Sequence, residues 1–264
     1  MQNAYQATDD IAVLPTFFPI PGLGVLPINA FVIKAKQPML VDTGIGIERG
    51  AFLKAVESVI SPRDLRWVWI SHDDLDHIGS IQEVLEAAPN ARIVGSALAA
   101  LRMSTSWPVP MDRLFALNPG ESIDLGDRKL TAVKPPLYDN PTATGFFDAK
   151  SHALFSVDSF GAIIQRPAQD AADIPSGELA EGMTLWATAD SPWVHNIDIA
   201  KFSQVLDGIR KLGATTVLST HLPPARNMTE LLLGVLSKTP RAEPFIAPNQ
   251  AALEAIMAQM KRGA

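Results

Sequence analysis

The stretch Ser71-His72-Asp73-Asp74-Leu75-Asp76-His77-Ile78-Gly79 packs two histidines and three aspartates into nine residues. Neutral imidazole nitrogens and carboxylate oxygens are ligands for zinc, iron and manganese. His72 and Asp74, two residues apart, can point inward from one loop. The adjacent Asp76 and His77 point in different directions and can serve a second ion. The same residues could instead form an acidic first turn of the helix that follows, because aspartate favours helix caps and N-terminal turns. That account covers one or two aspartates and leaves both histidines and their spacing unexplained. The pattern His72-x-Asp74-x-Asp76-His77 is therefore read as a cradle for two metal ions.

Such a cradle needs a rigid base. The apolar run Leu65-Arg66-Trp67-Val68-Trp69-Ile70 reads as a buried strand. Ligands just past a strand's C-terminal end lie where open α/β sheets place their sites. Upstream, Ile11 to Ile20 reads as a strand ended by Pro21-Gly22, and Asn29 to Lys36 and Pro38 to Val41 as two more. Asp42-Thr43-Gly44-Ile45-Gly46 is a glycine-rich turn. Ile47 to Ile60 has helical spacing and is stopped by Pro62. A helix is expected from about Ile78 to Ala88, then a short strand at Ala91 to Val94 and a small helix near Ala97 to Met103. Segments at 113–117, 121–125 and 129–134 read as a β-meander, and Ala153 to Val157 as a strand. Residues 165–190 carry only weak helix signals. Asp198 to Leu212 is an amphipathic helix, Thr215 to Ser219 a strand delivering His221, and Asn227 to Ser237 and Gln250 to Lys261 helices. The order suits one α/β domain, residues 1–264, with two sheets between helices and no linker dividing it.

Composition narrows the classes of function. Hydrophobic residues make up 47% of the 264 and charged residues 19%, enough for a substantial core. The formal net charge of −6 argues against a nucleic-acid surface. The chain has no cysteine, which excludes disulfides, thiolate metal sites, iron–sulfur clusters and a cysteine nucleophile. Met1 to Asp10 lacks the basic and apolar regions of a signal peptide. No apolar stretch approaches the roughly 18 residues of a membrane span. A cytoplasmic protein without membrane contact is expected.

His72-x-Asp74-x-Asp76-His77 resembles the His-x-His-x-Asp-His signature of the metallo-β-lactamase superfamily. Val41-Asp42-Thr43-Gly44 resembles its strand-end motif, in which the aspartate supports the site from behind the ligands. Ser219-Thr220-His221 resembles the late strand that supplies the last histidine. These marks run from about residue 10 to 225. The resemblance implies a four-layer αββα metallo-β-lactamase-like sandwich with the metals at one edge of the paired sheets.

Within the superfamily the chain looks most like the oxygen-reducing diiron domain of flavodiiron proteins. Those carry a carboxylate at the second ligand position, here Asp74. They also carry a bridging aspartate in a segment similar to Leu154-Phe155-Ser156-Val157-Asp158-Ser159-Phe160-Gly161. One departure stands out. Where the family has a histidine in a Leu-His-Trp-Pro-like segment, this chain has Leu137-Tyr138-Asp139-Asn140-Pro141. Asp139 is the preferred ligand and Tyr138 the alternative; a third alternative is that neither binds. The implied sets are His72, Asp74, Asp139 and Asp158 around one ion, and Asp76, His77, His221 and the shared Asp158 around the other. Asp42 is expected to orient ligands. This mixture favours iron or manganese, although zinc binds such donors more tightly than Fe(II) at equal availability.

Three classes of function use such a site. A diiron pair binds or reduces dioxygen or nitric oxide. A two-metal hydrolase cleaves an ester, lactone, thioester or phosphoester. A stand-alone module binds oxygen as a sensor. The carboxylate at 74 and the Asp158 segment favour the first. No flavin loop is visible in this chain, so a separate electron-donor protein is expected, and a homodimer is suggested by the head-to-tail dimers of flavodiiron proteins. Of the remaining histidines, His152 is expected at the surface and His195 in a helix-capping region. Phe146, Phe147 and Trp193 are expected in the core.

Overall fold

The computed structural model describes residues 1–263, with side chains described to Ala258. Strands β1 (Tyr5–Thr8), β2 (Ile11–Ile20), β3 (Gly24–Ile33) and β4 (Met39–Val41) open the chain. Then follow α1 (Arg49–Glu57), β5 (Trp67–Trp69), α2 (Ile81–Ala87), β6 (Arg92–Gly95), α3 (Ala97–Met103) and β7 (Leu114–Ala116). These seven strands form one sheet in the order β1 to β7, antiparallel as far as β4 and parallel from there on. A second sheet is built from β8 (Ser122–Asp124), β9 (Lys129–Val133), β10 (Gly145–Asp148) and β11 (Ala153–Phe155). After α4 (Ser176–Asp190) and α5 (Ile199–Arg210), it is completed by β12 (Thr216–Ser219) and β13 (Leu222–Arg226). Its order is β13-β12-β11-β10-β9-β8, with β11 and β12 parallel. Helices α6 (Thr229–Leu236) and α7 (Gln250–Gly263) end the described chain.

Alternation along the strands sorts side chains into layers, because successive residues of a strand face opposite sides. Ile11, Val13, Phe31 and Trp69 meet Leu130, Phe146, Phe155 and Leu218 between the sheets. Their neighbours Ala12, Leu14, Val32 and Val68 turn outward onto Phe52 of α1 and Val84 of α2. On the far side, Leu154 and Val217 pack under Met183 of α4, Phe202 of α5 and Leu233 of α6. The layer sequence is therefore helices, sheet, sheet, helices. No helix among the described residues is long and apolar enough to cross a membrane.

The expected meander at 113–134 is corrected by the pairing. β7 lies parallel to β6 in the first sheet, whereas β8 pairs antiparallel with β9 in the second. The turn at Asn118-Pro119-Gly120 carries the chain from one sheet to the other. Short apolar runs show that strands exist and carry no mark of which sheet they join. Residues 165–190, weak in sequence, contain the 15-residue helix α4.

Candidate metal centre

The parallel strands β4 and β5 end side by side, and the two loops that follow them are tied together. Asp42, immediately after β4, takes φ +57. This left-handed conformation is uncommon outside glycine, though aspartate adopts it more readily than most residues. It brings the Asp42 carboxylate under the ligand loop, where Oδ1 accepts from the Ser71 amide and Oδ2 from the Ser71 hydroxyl, each at 2.8 Å. Gly79 lies so close to the backbone of Gly44–Gly46 that a Cβ there would collide with it. The same crossing is closed by the Thr43 amide donating to the His77 carbonyl at 2.6 Å.

The second sheet supplies the remaining groups. Val157, just past β11, has φ +57. For a β-branched residue this is a strained position, costing about 1–3 kcal/mol. The segment is held there by Ser219 and Thr220, which both donate to the Val157 carbonyl, at 2.9 and 3.0 Å. Asp158 follows directly and is buried. His221 sits in the tight connection between β12 and β13. Gly161 leaves room for it, since a Cβ there would lie 2.7 Å from His221 Cβ and closer still to the Trp186 ring.

Three imidazoles converge on Asp158. Its Oδ2 is 3.3 Å from His72 Nε2, and its Oδ1 is 3.1 Å from Nε2 of both His77 and His221. Asp74 and Asp139 lie 3.6 and 3.9 Å from His72 Nε2. Asp76 lies 3.7 Å from His77 Nε2 and 3.5 Å from His221 Nε2. Two rings are gripped by their other nitrogen: His77 Nδ1 by Asp42 Oδ2 at 2.8 Å, and His221 Nδ1 by the Pro27 carbonyl at 2.8 Å. With Nδ1 donating outward, the Nε2 lone pair faces the cluster, the arrangement of metal-binding histidines. Asn140 Nδ2 holds Asp74 Oδ1 at 2.7 Å, and Trp186 Nε1 donates to the Asp158 carbonyl at 3.1 Å.

The electrostatics fit a cation. Burial alone would raise the Asp158 pKa, but the neighbouring His77 and His72 hold it well below the carboxylate range. Burial lowers the His77 pKa, yet Asp158, Asp76 and Asp42 together lift it well above normal. Burial, followed by the contacts with Asp74 and Asp158, pushes Asp139 up to about 6. Histidines and carboxylates thus favour one another's charged forms, a compensation that a cation in the cluster would also provide. Asp158 Oδ1 is buried without a hydrogen-bond partner. Buried polar atoms are otherwise nearly always paired. The donor set and this orphaned oxygen both fit metal ions.

All seven expected ligands, His72, Asp74, Asp76, His77, Asp139, Asp158 and His221, lie in this one cluster. Tyr138, the alternative at its position, is turned to other contacts: its ring receives Lys134 Nζ at 3.8 Å and tilts against Trp193. Of the outlying histidines, His152 is exposed with φ +50. His195 lies in the short turn Pro192–Asn196, and its Nε2 has no hydrogen-bond partner. Phe146 is core between the sheets, as expected, while Phe147 and Trp193 are half-buried against the helix-side cluster of the second sheet. Sequence reasoning missed Asp190, the last residue of α4, whose carboxylate lies beside Asp139 and Asp158. Burial, then the charges of Asp158 and Asp139, raise its pKa to about 7. Replacing Asp42 with alanine should free the His77 ring and weaken metal binding about 10–100-fold. Competition with a chromophoric chelator would measure this.

The paired sheets, outer helices and histidine–carboxylate edge define a metallo-β-lactamase-like fold with a metal-binding centre. A family model described as ODP family beta lactamase matches residues 26–189, and the chain belongs to that family. Among curated relatives, a putative diflavin flavoprotein A 3 of Nostoc sp. is 31% identical over 134 residues, covering 50% of this chain and 23% of the relative. Rubredoxin-oxygen oxidoreductase of Megalodesulfovibrio gigas is 28% identical over 160 residues, covering 59% of this chain and 39% of the relative. The aligned stretch thus spans well under two thirds of these relatives. Among solved structures, the rubredoxin oxygen:oxidoreductase from Desulfovibrio gigas superposes with TM-score 0.81 at 20% identity, over 92% of this chain and 63% of that one. A fragment, residues 1–254, of putative diflavin flavoprotein A 5 from Nostoc sp. PCC 7120 gives 0.74 at 17%, over 90% and 95%. These are the folds of flavodiiron cores.

Proposed function

We propose that this chain holds two iron ions and binds or reduces dioxygen or nitric oxide. The observation that carries the proposal is the donor set around Asp158, with three imidazoles and four carboxylates. Such an oxygen-rich mixture suits iron or manganese better than the nitrogen- and sulfur-rich sets typical of zinc. His72, Asp74, Asp139 and Asp158 would hold one ion, and Asp76, His77, His221 and Asp158 the other. When bound, the pair supplies open coordination positions for a diatomic ligand and electrons for its reduction. The chain's own residues do the positioning. Asp42 and the Pro27 carbonyl fix two rings, Asn140 orients Asp74, and Trp186 closes the site against His221, with ring centres 4.5 Å apart. Residues 1–263 are taken up by the two sheets and their helices, and electrons would arrive from a donor outside them. Similarity to a rubredoxin-oxygen oxidoreductase supports this reading.

The test is metal analysis after growth in iron-rich medium, with optical spectra under air and after anaerobic reduction. We expect close to two irons per chain and a spectrum that changes on exposure to oxygen or nitric oxide. A zinc-only protein, unresponsive to either gas and turning over esters or lactones, would establish the hydrolase reading instead.

A further inference from the structure

We propose that Asp190 is itself a metal ligand, completing the ion position formed by His72, Asp74, Asp139 and Asp158. The inference rests on the two-ion reading above and goes beyond the ligand set taken from the sequence.

Carboxylate oxygens of Asp139, Asp158 and Asp190 lie within 4.8 Å of one another. Oxygens sharing one ion at about 2.0–2.2 Å are at most roughly 4.4 Å apart. The three are close enough to converge on one ion with a modest inward movement of their side chains. Helix α4 explains the placement. Trp186 and Asp190 are four residues apart, hence on one face of that helix. Trp186 Nε1 donates to the Asp158 carbonyl at 3.1 Å, so the same face sets Asp190 against the cluster.

Two observations fit a cation there. The first is Asp158, a buried carboxylate whose Oδ2 faces His72 Nε2 at 3.3 Å and whose Oδ1, facing His77 and His221, has no hydrogen-bond partner. The second is Asp190, whose carboxylate has one hydrogen-bond partner among the described residues, the Ser191 hydroxyl, which donates to Oδ2 at 3.1 Å. Among the described residues no lysine or arginine pairs with Asp139, Asp158 or Asp190; their charged neighbours are histidines. Of the three, Asp158 is buried, and a buried carboxylate is otherwise paired or metal-bound. With Asp190 included, this position has one imidazole and four carboxylates. That donor set prefers manganese or iron, whereas the His77–His221 position keeps the greater nitrogen content.

The experiment compares metal-free wild type, Asp190→Asn and Asp190→Ala, each titrated with Mn2+ and Zn2+ by calorimetry. Far-UV circular dichroism confirms the fold. Wild type should bind two ions. Both variants should keep one at wild-type affinity and bind the other at least about tenfold more weakly. The loss should be larger for Mn2+ than for Zn2+. Two ions at unchanged affinity in D190A would overturn the role of Asp190 and leave the two-ion reading standing. A wild type that binds only one ion would overturn that reading itself. A crystal structure of Mn2+-loaded wild type provides a variant-free arm. It should show an Asp190 oxygen within about 2.2 Å of an ion, and a carboxylate outside coordination distance would refute the assignment.

Discussion

Asp158→Ala should empty both ion positions at once. The Asp158 carboxylate stands between the two groups of ligands, with Oδ2 toward His72 and Oδ1 toward His77 and His221, at 3.1–3.3 Å. Each position would lose a ligand, and each would lose the negative charge that compensates its histidines. Orienting groups alone are worth about 10–100-fold in affinity, so removing a shared ligand should cost more than this at both positions. Metal content should fall from two ions per chain to near none after gel filtration. Asp158→Asn separates charge from shape, because it fills the same space with one ligating oxygen instead of two. It should retain at most one ion. Two ions still tightly bound in D158A would sink the bridging role. Unfolding of the metal-free proteins should be measured alongside, because Val157 is held in a strained conformation and part of any loss could come from its relaxation.

The second large effect is one of stability and lies away from the metals. Arg128 joins the two sheets at the end of β10 opposite Thr144, whose amide donates to the Ser71 carbonyl. Its side chain is 1% exposed and that of Asp148 is fully buried. Arg128 Nη1 donates to Asp148 Oδ2 at 2.9 Å, and Nη2 donates to Asp10. Asp148 also accepts from the Lys150 amide and the Ser151 hydroxyl, at 2.9 and 2.7 Å. Arg128→Met would leave a buried carboxylate with hydrogen bonds but no countercharge. Breaking one side of such a pair typically costs about 3–5 kcal/mol. Urea unfolding of metal-free protein at pH 7 should show a loss of this size, and a loss below about 1 kcal/mol would mean water reaches Asp148. The acid limb offers a second check. Burial raises the Asp10 pKa, but Arg128 outweighs it and the net shift is downward. A lowered carboxylate pKa stabilises the fold above the unfolded value of about 3.9 and loses that contribution as pH falls through the folded value. R128M should therefore show a weaker dependence of stability on pH below about 4.

The ligand loop was legible because its residues have few other uses. Paired histidines flanking aspartates after an apolar run satisfy no ordinary structural need, and the structure places them where the end of β5 requires. Asp42 and Asp158 were legible through the residues around them, which share the job of turning a strand end. Elements whose role is set by distant partners were hidden. β13 contains Pro223 and Pro224, which remove two amide donors and mask a strand; it survives as the edge of its sheet, where those donors are not needed. β10 is four residues, Gly145 to Asp148, too short to show alternation. Asp190 ends a helix of weak amphipathicity and belongs to no motif. Only its spacing from Trp186 and the Ser191-Pro192 stop hinted that it closes a helix against something. Asp139 was preferred by aligning on Pro141; the structure places its carboxylate 3.9 Å from His72 Nε2, while the Tyr138 ring lies against Lys134 and Trp193.

The pairing of β11 with β12 also sets a timetable. Four ligands, His72, Asp74, Asp76 and His77, leave the ribosome almost together, and His221 follows about 140 residues later. At about 5–20 residues per second this is a delay on the order of ten seconds. During it the early loop would be an open chelator that any abundant divalent ion could visit. β12 must be made and laid beside β11 before Asp158 and His221 can close on whatever ion is there. Metal choice would then be decided after synthesis, when a nearly complete chain exchanges its first occupant. The concentration of competing ions in that interval would matter as much as the finished site's preference.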